Sequence, residues 1–141
     1  MLVKDVMNKN VVVAKAKVTI REASKVMSKY KIGSLVVLKD GDIVGIVTEG
    51  DIMESVASDK NPDTDTIENI MSQKVFTVDP EDTIENAADI MVQNKIKKLP
   101  VVEDGKLKGI ITASDIVIVE PKLIQSVASL ISMKIPGYSG G

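Results

Sequence analysis

The chain has no cysteine, no histidine and no tryptophan among its 141 residues. Without cysteine, neither a disulfide framework nor a thiolate metal site can form. Without histidine, the commonest general base and the commonest metal ligand are gone together. No catalytic or metal-ligating residue is therefore assigned, and an enzyme is not expected. Aromatics are limited to Tyr30, Phe76 and Tyr138, too few for the stacking platforms that bind single-stranded nucleic acid. A formal net charge of −2 gives no basic footprint for DNA or RNA. No apolar run approaches the ~18–20 residues that cross a bilayer. The start Met1-Leu-Val-Lys-Asp is unlike a signal peptide. The expectation is a cytoplasmic protein with neither a nucleic-acid nor a membrane partner.

What the chain does have is the same text twice. Shifted by 64 residues, Met7 falls on Met71, Thr19-Ile20 on Thr83-Ile84, Met27 on Met91, and Asp40-Gly41 on Asp104-Gly105. The match closes with Gly45-Ile-Val-Thr-Glu-Gly-Asp51 over Gly109-Ile-Ile-Thr-Ala-Ser-Asp115, and no gap is needed. Such a repeat means two copies of one supersecondary unit, related by a pseudo-two-fold axis. A copy of roughly 50 residues would be marginal alone, so the two are expected to bury apolar faces against each other.

Each copy reads as β-α-β-β-α, an α/β (α+β) fold. Val11-Val12-Val13 is a β-branched run. Thr19 with Glu22 forms a capping box, followed by Ile20, Ala23, Val26, Met27 and Tyr30 at helical spacing. Ser34–Leu38 and Ile43–Val47 flank the turn Asp40-Gly41 as a hairpin, and a second helix runs from near Thr48 to about Ala57. The second copy repeats the plan: strand Val75–Val78, helix Thr83–Asn94, strands Leu99–Val102 and Leu107–Ile111, and a helix from Thr112. The expected division is 1–58 and 67–120 for the repeats, with 59–66 as a solvated linker. A terminal helix at 121–135 opens on Pro121, with Leu123, Ile124, Val127, Leu130 and Ile131 as its apolar stripe. Pro136-Gly137 ends it before a tail at 136–141. The methionines beyond Met1 read as core filling.

The turn Thr48-Glu-Gly-Asp51 and its copy Thr112-Ala-Ser-Asp115 admit two readings. Thr-x-x-Asp before an apolar run is a helix capping box. The same residues at a strand-to-helix junction can also serve a nucleotide. A carboxylate accepts hydrogen bonds from ribose hydroxyls, and helix N-termini favour phosphate. Glycine three residues before each threonine, inside a strand, implies close approach to the backbone. The pair Lys97-Lys98 likewise reads either as solvent-facing charge beyond a helix C-terminus or as a phosphate contact.

A tandem pair of β-α-β-β-α units, each ending in Gly-h-h-Thr-x-x-Asp (h apolar), resembles the CBS domain. The segment Asn94-Lys-Ile-Lys-Lys-Leu-Pro-Val-Val102 is similar to that family's helix-to-strand stretch. The resemblance covers about residues 1–118 and implies two repeats packed sheet to sheet, with two clefts between them. It implies adenosyl ligands, AMP, ADP, ATP or S-adenosylmethionine, with AMP the first candidate and no required cofactor. It also implies a homodimer and signalling to a protein effector, as in energy sensing. Carried onto this sequence, Thr48 and Asp51 would hold one ribose, with Val75–Thr77 and Lys97, Lys98, Leu99 and Pro100 closing on base and phosphates. Thr112 and Asp115 would hold the second, opposite Val11–Val13 and Gly33, Ser34, Leu35 and Val36. The sites are unequal, since Val36 replaces the family proline kept at Pro100 and Gly33-Ser34 replaces Lys97-Lys98. Phosphorylated ligands are expected to favour the site of Thr48 and Asp51. The alternative is an interaction module whose sites are degenerate and empty.

Overall fold

The computed structural model describes residues 1–132, with side chains as far as Leu130. In chain order its elements are α1 (Val3–Val6), β1 (Val13–Lys15), α2 (Ile20–Tyr30), β2 (Ser34–Lys39), β3 (Asp42–Thr48), α3 (Glu49–Ala57), α4 (Ile84–Asn94), β4 (Lys98–Glu103), β5 (Lys106–Thr112), α5 (Ala113–Val119) and α6 (Ile124–Ser132), with 3-10 turns at Ile67–Asn69 and Pro121–Leu123. The expected close of the last helix near residue 135, the stop at Pro136-Gly137 and the tail lie outside the described residues.

The mixed α/β chain divides into two compact units, and neither is one sequence repeat. Val11–Val75 forms the first, and Met1–Asn10 together with Phe76 onward forms the second. Each unit is thus completed by a lead-in segment from the other copy. Val3 is fully buried in the second unit's core, and its repeat equivalent Ile67 is fully buried in the first's. Backbone bonds hold both segments. Asn8 N–H donates to the Ile110 carbonyl at 2.8 Å and Ile110 N–H returns to Asn8 at 2.9 Å. Ile46 and Ser72 exchange the corresponding pair at 3.0 and 2.9 Å.

In the first unit Thr19 caps α2 as its sequence implies. Its Oγ1 accepts from Glu22 N–H at 3.2 Å, while Glu22 accepts from Thr19 N–H at 3.2 Å. Ile20, Ala23 and Met27 are buried, but Tyr30, expected on that face, is 53% exposed. Lys31 has φ 53, which ends the helix directly after Tyr30 and leaves that ring beneath the Lys29 ammonium, 5.4 Å away. Asp40 and Gly41 both have positive φ, 52 and 84, the two-residue primed turn that matches strand twist. β2 lies between β1, its parallel neighbour, and β3, its antiparallel one.

The expected linker is not merely solvated. Arg21 N–H donates to the Pro62 carbonyl at 2.9 Å and Ile20 N–H to that of Asp65 at 3.0 Å. Both are first-turn donors of α2 that no helical carbonyl can reach. The Arg21 guanidinium pairs with Asp63 and holds that carboxyl below its usual range, chiefly through their hydrogen bond.

The second unit repeats the hairpin residue for residue, from Lys98↔Thr112 to Glu103↔Lys106, with its irregularity at the equivalent place. The expected strand Val75–Val78 is absent, reduced to one parallel bridge between Val78 and Val101. Prolines bracket that bridge. Val78 N–H donates to the Pro100 carbonyl at 3.1 Å and Val102 N–H to that of Val78 at 2.9 Å. Pro100 has no N–H to return on that side. Pro80 also has none, whereas its equivalent Ala16 donates to Leu38 at 2.9 Å. A ladder missing both donors cannot extend.

The terminal helix begins as the 3-10 turn at Pro121 and becomes α6. Val127 and Leu130 are buried in the second unit's core beside Met91 and Ile116. Ile124, expected in the same stripe, is 51% exposed. The methionines are not all core either: Met53 is 69% exposed, whereas Met27 and Met91 are buried. Met133 lies outside the described residues.

Candidate functional site

Each hairpin delivers its second strand into a helix through Thr-x-x-Asp. At Thr48 the Oγ1 accepts from Asp51 N–H at 3.2 Å, and Asp51 Oδ2 accepts from Thr48 N–H at 2.8 Å. At Thr112 the same pair of bonds measures 3.1 and 3.0 Å. The capping reading is therefore realised in both copies. It leaves room for the other. An ionised carboxylate offers about four acceptor positions, and the cap occupies one oxygen of each aspartate. Both Asp51 and Asp115 are partly exposed.

A second contact ties each turn to the start of its hairpin. Glu49 N–H donates to the Gly33 carbonyl at 3.0 Å, and Ala113 N–H to that of Lys97 at 2.9 Å. Ser34 lies opposite Thr48 in register, and Lys98 opposite Thr112. The structure thus groups Gly33 and Ser34 with Thr48 and Asp51 in the first unit, along with Val11, Val13 and Val75. Thr77, Lys97, Lys98, Leu99 and Pro100 share the second unit with Thr112 and Asp115. Leu35, Val36, Leu99 and Pro100 are buried strand residues. Lys97 and Lys98 are half-buried at the opening of β4, past the Lys95 cap of α4.

The strand glycines have a structural explanation that sequence reasoning missed. A Cβ on Gly45 would lie 2.8 Å from the Ser72 carbonyl and 2.5 Å from Met71 Sδ. On Gly109 it would lie 2.8 Å from both the Asn8 carbonyl and Met7 Sδ. What approaches these glycines is the lead-in backbone, not a ligand. The signal that could have found it is the repeat itself, which carries Met7-Asn8 and Met71-Ser72 in register with the two glycines. Gly45→Ala or Gly109→Ala should cost about 1–3 kcal/mol by overpacking, read as an earlier denaturant midpoint. Gly50→Ala, whose Cβ would meet nothing closer than 3.6 Å, should not share that penalty.

Among the described residues no cluster of three His, Cys, Asp or Glu is placed to hold a metal ion. No described helix is long and apolar enough to cross a membrane.

Two hairpin-and-helix units with this strand-end turn make a tandem α/β repeat. Residues 3–58 and 67–121 each match the CBS domain, and the chain belongs to that family. It is 38% identical over 126 residues to an uncharacterised protein of Methanopyrus kandleri, covering 87% of this chain and 64% of that one. It is 35% identical over 117 residues to the L-aspartate semialdehyde sulfurtransferase of Methanocaldococcus jannaschii, covering 82% of this chain but only 22% of that enzyme. The chain thus spans less than two thirds of either relative. Among solved structures, a CBS domain pair in complex with 5′-methylthioadenosine and S-adenosyl-L-methionine superposes with a TM-score of 0.77 at 32% identity, over 86% of this chain and 97% of that one. A CBS-domain protein of Agrobacterium tumefaciens gives a TM-score of 0.77 at 31% identity, over 84% and 98%.

Proposed function

We propose that this chain is a non-catalytic regulatory module that binds an adenosyl ligand and passes its occupancy to a partner. The observation that carries the reading is the repeated Thr-x-x-Asp turn, whose carboxylates keep acceptor capacity beyond the bond each gives its own helix. Ribose presents two vicinal hydroxyls, and Asp51 and Asp115 are the acceptors we assign to them, with Thr48 and Thr112 alongside. The bound ligands of the similar CBS pair support the adenosyl class. AMP, like ADP and ATP, carries phosphate and adds a demand for cations, and Lys97-Lys98 is the pair we assign to it. The resemblance sets that pair on the ligand of Thr48 and Asp51, while the hairpin register sets it beside Thr112.

Signalling follows from linkage. A ligand favours whichever arrangement of the chain binds it more tightly, and anything else that distinguishes those arrangements responds. The test is a thermal-shift panel of AMP, ADP, ATP, S-adenosylmethionine and methylthioadenosine, with guanosine and cytidine nucleotides as controls. At ten times the dissociation constant, a ligand specific to the folded state adds about 1.4 kcal/mol, a rise of a few degrees. Adenosyl compounds should give that rise and the controls less. No shift from any of them at millimolar concentration would leave an interaction module with empty sites as the better account.

A further inference from the structure

Each unit holds the lead-in of the other copy through the same backbone bonds. Val3 N–H donates to the Asp82 carbonyl at 2.8 Å, and its repeat equivalent Ile67 N–H to that of Val18 at 2.9 Å. Lys4 N–H reaches the Pro80 carbonyl at 3.0 Å, as Glu68 N–H reaches that of Ala16 at 3.2 Å. Both lead-ins bury one aliphatic side chain, Val3 or Ile67. Backbone and apolar contact are thus alike in the two units. The neighbouring charges are not.

In the first unit the Glu68 carboxylate accepts from Lys17 and from Lys39, each at 3.0 Å. Shifted by 64 residues, those three positions are Lys4, Glu81 and Glu103, so every charge is reversed. In the second unit Lys4 donates to Glu81 at 2.7 Å and lines one groove with Glu81 and Glu103. That bond, with the charges of Asp5 and Glu103 added, holds the Lys4 ammonium above its usual range. Lys9 and Lys108 line the same groove, but their equivalents Gln73 and Val44 are uncharged and take no part in the reversal. Placed on the first unit, Lys4 would stand beside Lys17 and Lys39. Placed on the second, Glu68 would face Glu81 and Glu103. Exposed ion pairs add little to stability. A choice between partners, however, counts the repulsion in the wrong pairing as well as the attraction in the right one.

We propose that the two reversed triads are a pairing code, which assigns each lead-in to the other copy's unit and turns it away from its own. The code stands apart from the ligand reading. The full chain has no cysteine, so introduced pairs report the assignment. Asn8 and Ile110 exchange both backbone bonds, and antiparallel neighbours of that kind lie within disulfide reach. Asn8→Cys with Ile110→Cys therefore reports the crossed pairing, and Asn8→Cys with Ile46→Cys the uncrossed one. In a thiol–disulfide buffer at low salt, only the first pair should close in the parent background. Adding Lys4→Glu and Glu68→Lys should lower closure between positions 8 and 110 by about tenfold, because three exposed pairs turn repulsive together. Further adding Lys17→Glu, Lys39→Glu, Glu81→Lys and Glu103→Lys should restore it. The neutral changes Lys4→Gln and Glu68→Gln should fall between parent and reversed chain, and salt at about 1 M should narrow all these differences. A reversed chain that closes positions 8 and 110 like the parent would overturn the proposal. So would a neutral chain that loses as much as the reversed one, since the pairs would then only stabilise and not select.

Discussion

Ile67→Ala should destabilise the chain by about 2–5 kcal/mol and should loosen the first unit, although Ile67 opens the second sequence repeat. Ile67 is fully buried among Ala23, Met27, Leu35 and Val47. The chain around it is bonded to the same unit, with Ile67 N–H donating to the Val18 carbonyl at 2.9 Å and Glu68 N–H to that of Ala16 at 3.2 Å. Glu68 adds salt bridges to Lys17 and Lys39. Truncating the isoleucine removes apolar contact and leaves a cavity that a rigid hairpin closes poorly. The repeat equivalent Val3→Ala should act on the second unit and cost less, since valine is the smaller side chain and its full burial is worth about 1.5–3 kcal/mol. Native-state hydrogen exchange separates the outcomes. Ile67→Ala should raise exchange in β2 and β3 and spare β4 and β5, whereas Val3→Ala should do the reverse. Faster exchange in β4 and β5 for Ile67→Ala would contradict the exchange of lead-ins between copies.

Asp51→Ala should weaken adenosyl-ligand binding at its site by about 10- to 150-fold, the cost of a lost hydrogen bond to a charged group, about 1.5–3 kcal/mol. Asp115→Ala should do the same at the other site. The resemblance assigns the AMP-selective phase to Asp51, so Asp51→Ala should abolish that phase and Asp115→Ala should spare it. Lys97→Ala should narrow the preference for AMP over methylthioadenosine, which has no phosphate. Each aspartate also caps a helix, worth about 1 kcal/mol, so both variants should melt slightly earlier whatever they bind. Titration calorimetry beside a melting curve distinguishes the two roles. A variant that melts earlier but binds like the parent would reduce the carboxylate to a cap. An AMP-selective phase that vanishes with Asp115 instead would place the basic pair with Thr112, its neighbour on the hairpin.

Much of this protein is local, and what is local was legible in its residues. Thr19 with Glu22 and Thr48 with Asp51 form their capping boxes because partner and donor lie three residues apart. Asp40-Gly41 makes its turn because two adjacent positions need positive φ. The helix spacing and the 64-residue shift are equally internal to the text. Tertiary structure decided the rest, because the deciding partners are distant in the chain. No local pattern shows that Pro80 and Pro100 stand on either side of one bridge and cancel a strand that Val75–Val78 favours by composition. Nor does one show that Gly45 and Gly109 are empty for the backbones at Ser72 and Asn8, so that their absent side chains speak of packing and not of ligand. The same holds for α6, whose apolar stripe could have met any surface. Its Val127 and Leu130 meet the second unit's core, beside Ala88, Met91, Ala113 and Ile116, a partner set that only the folded chain brings together.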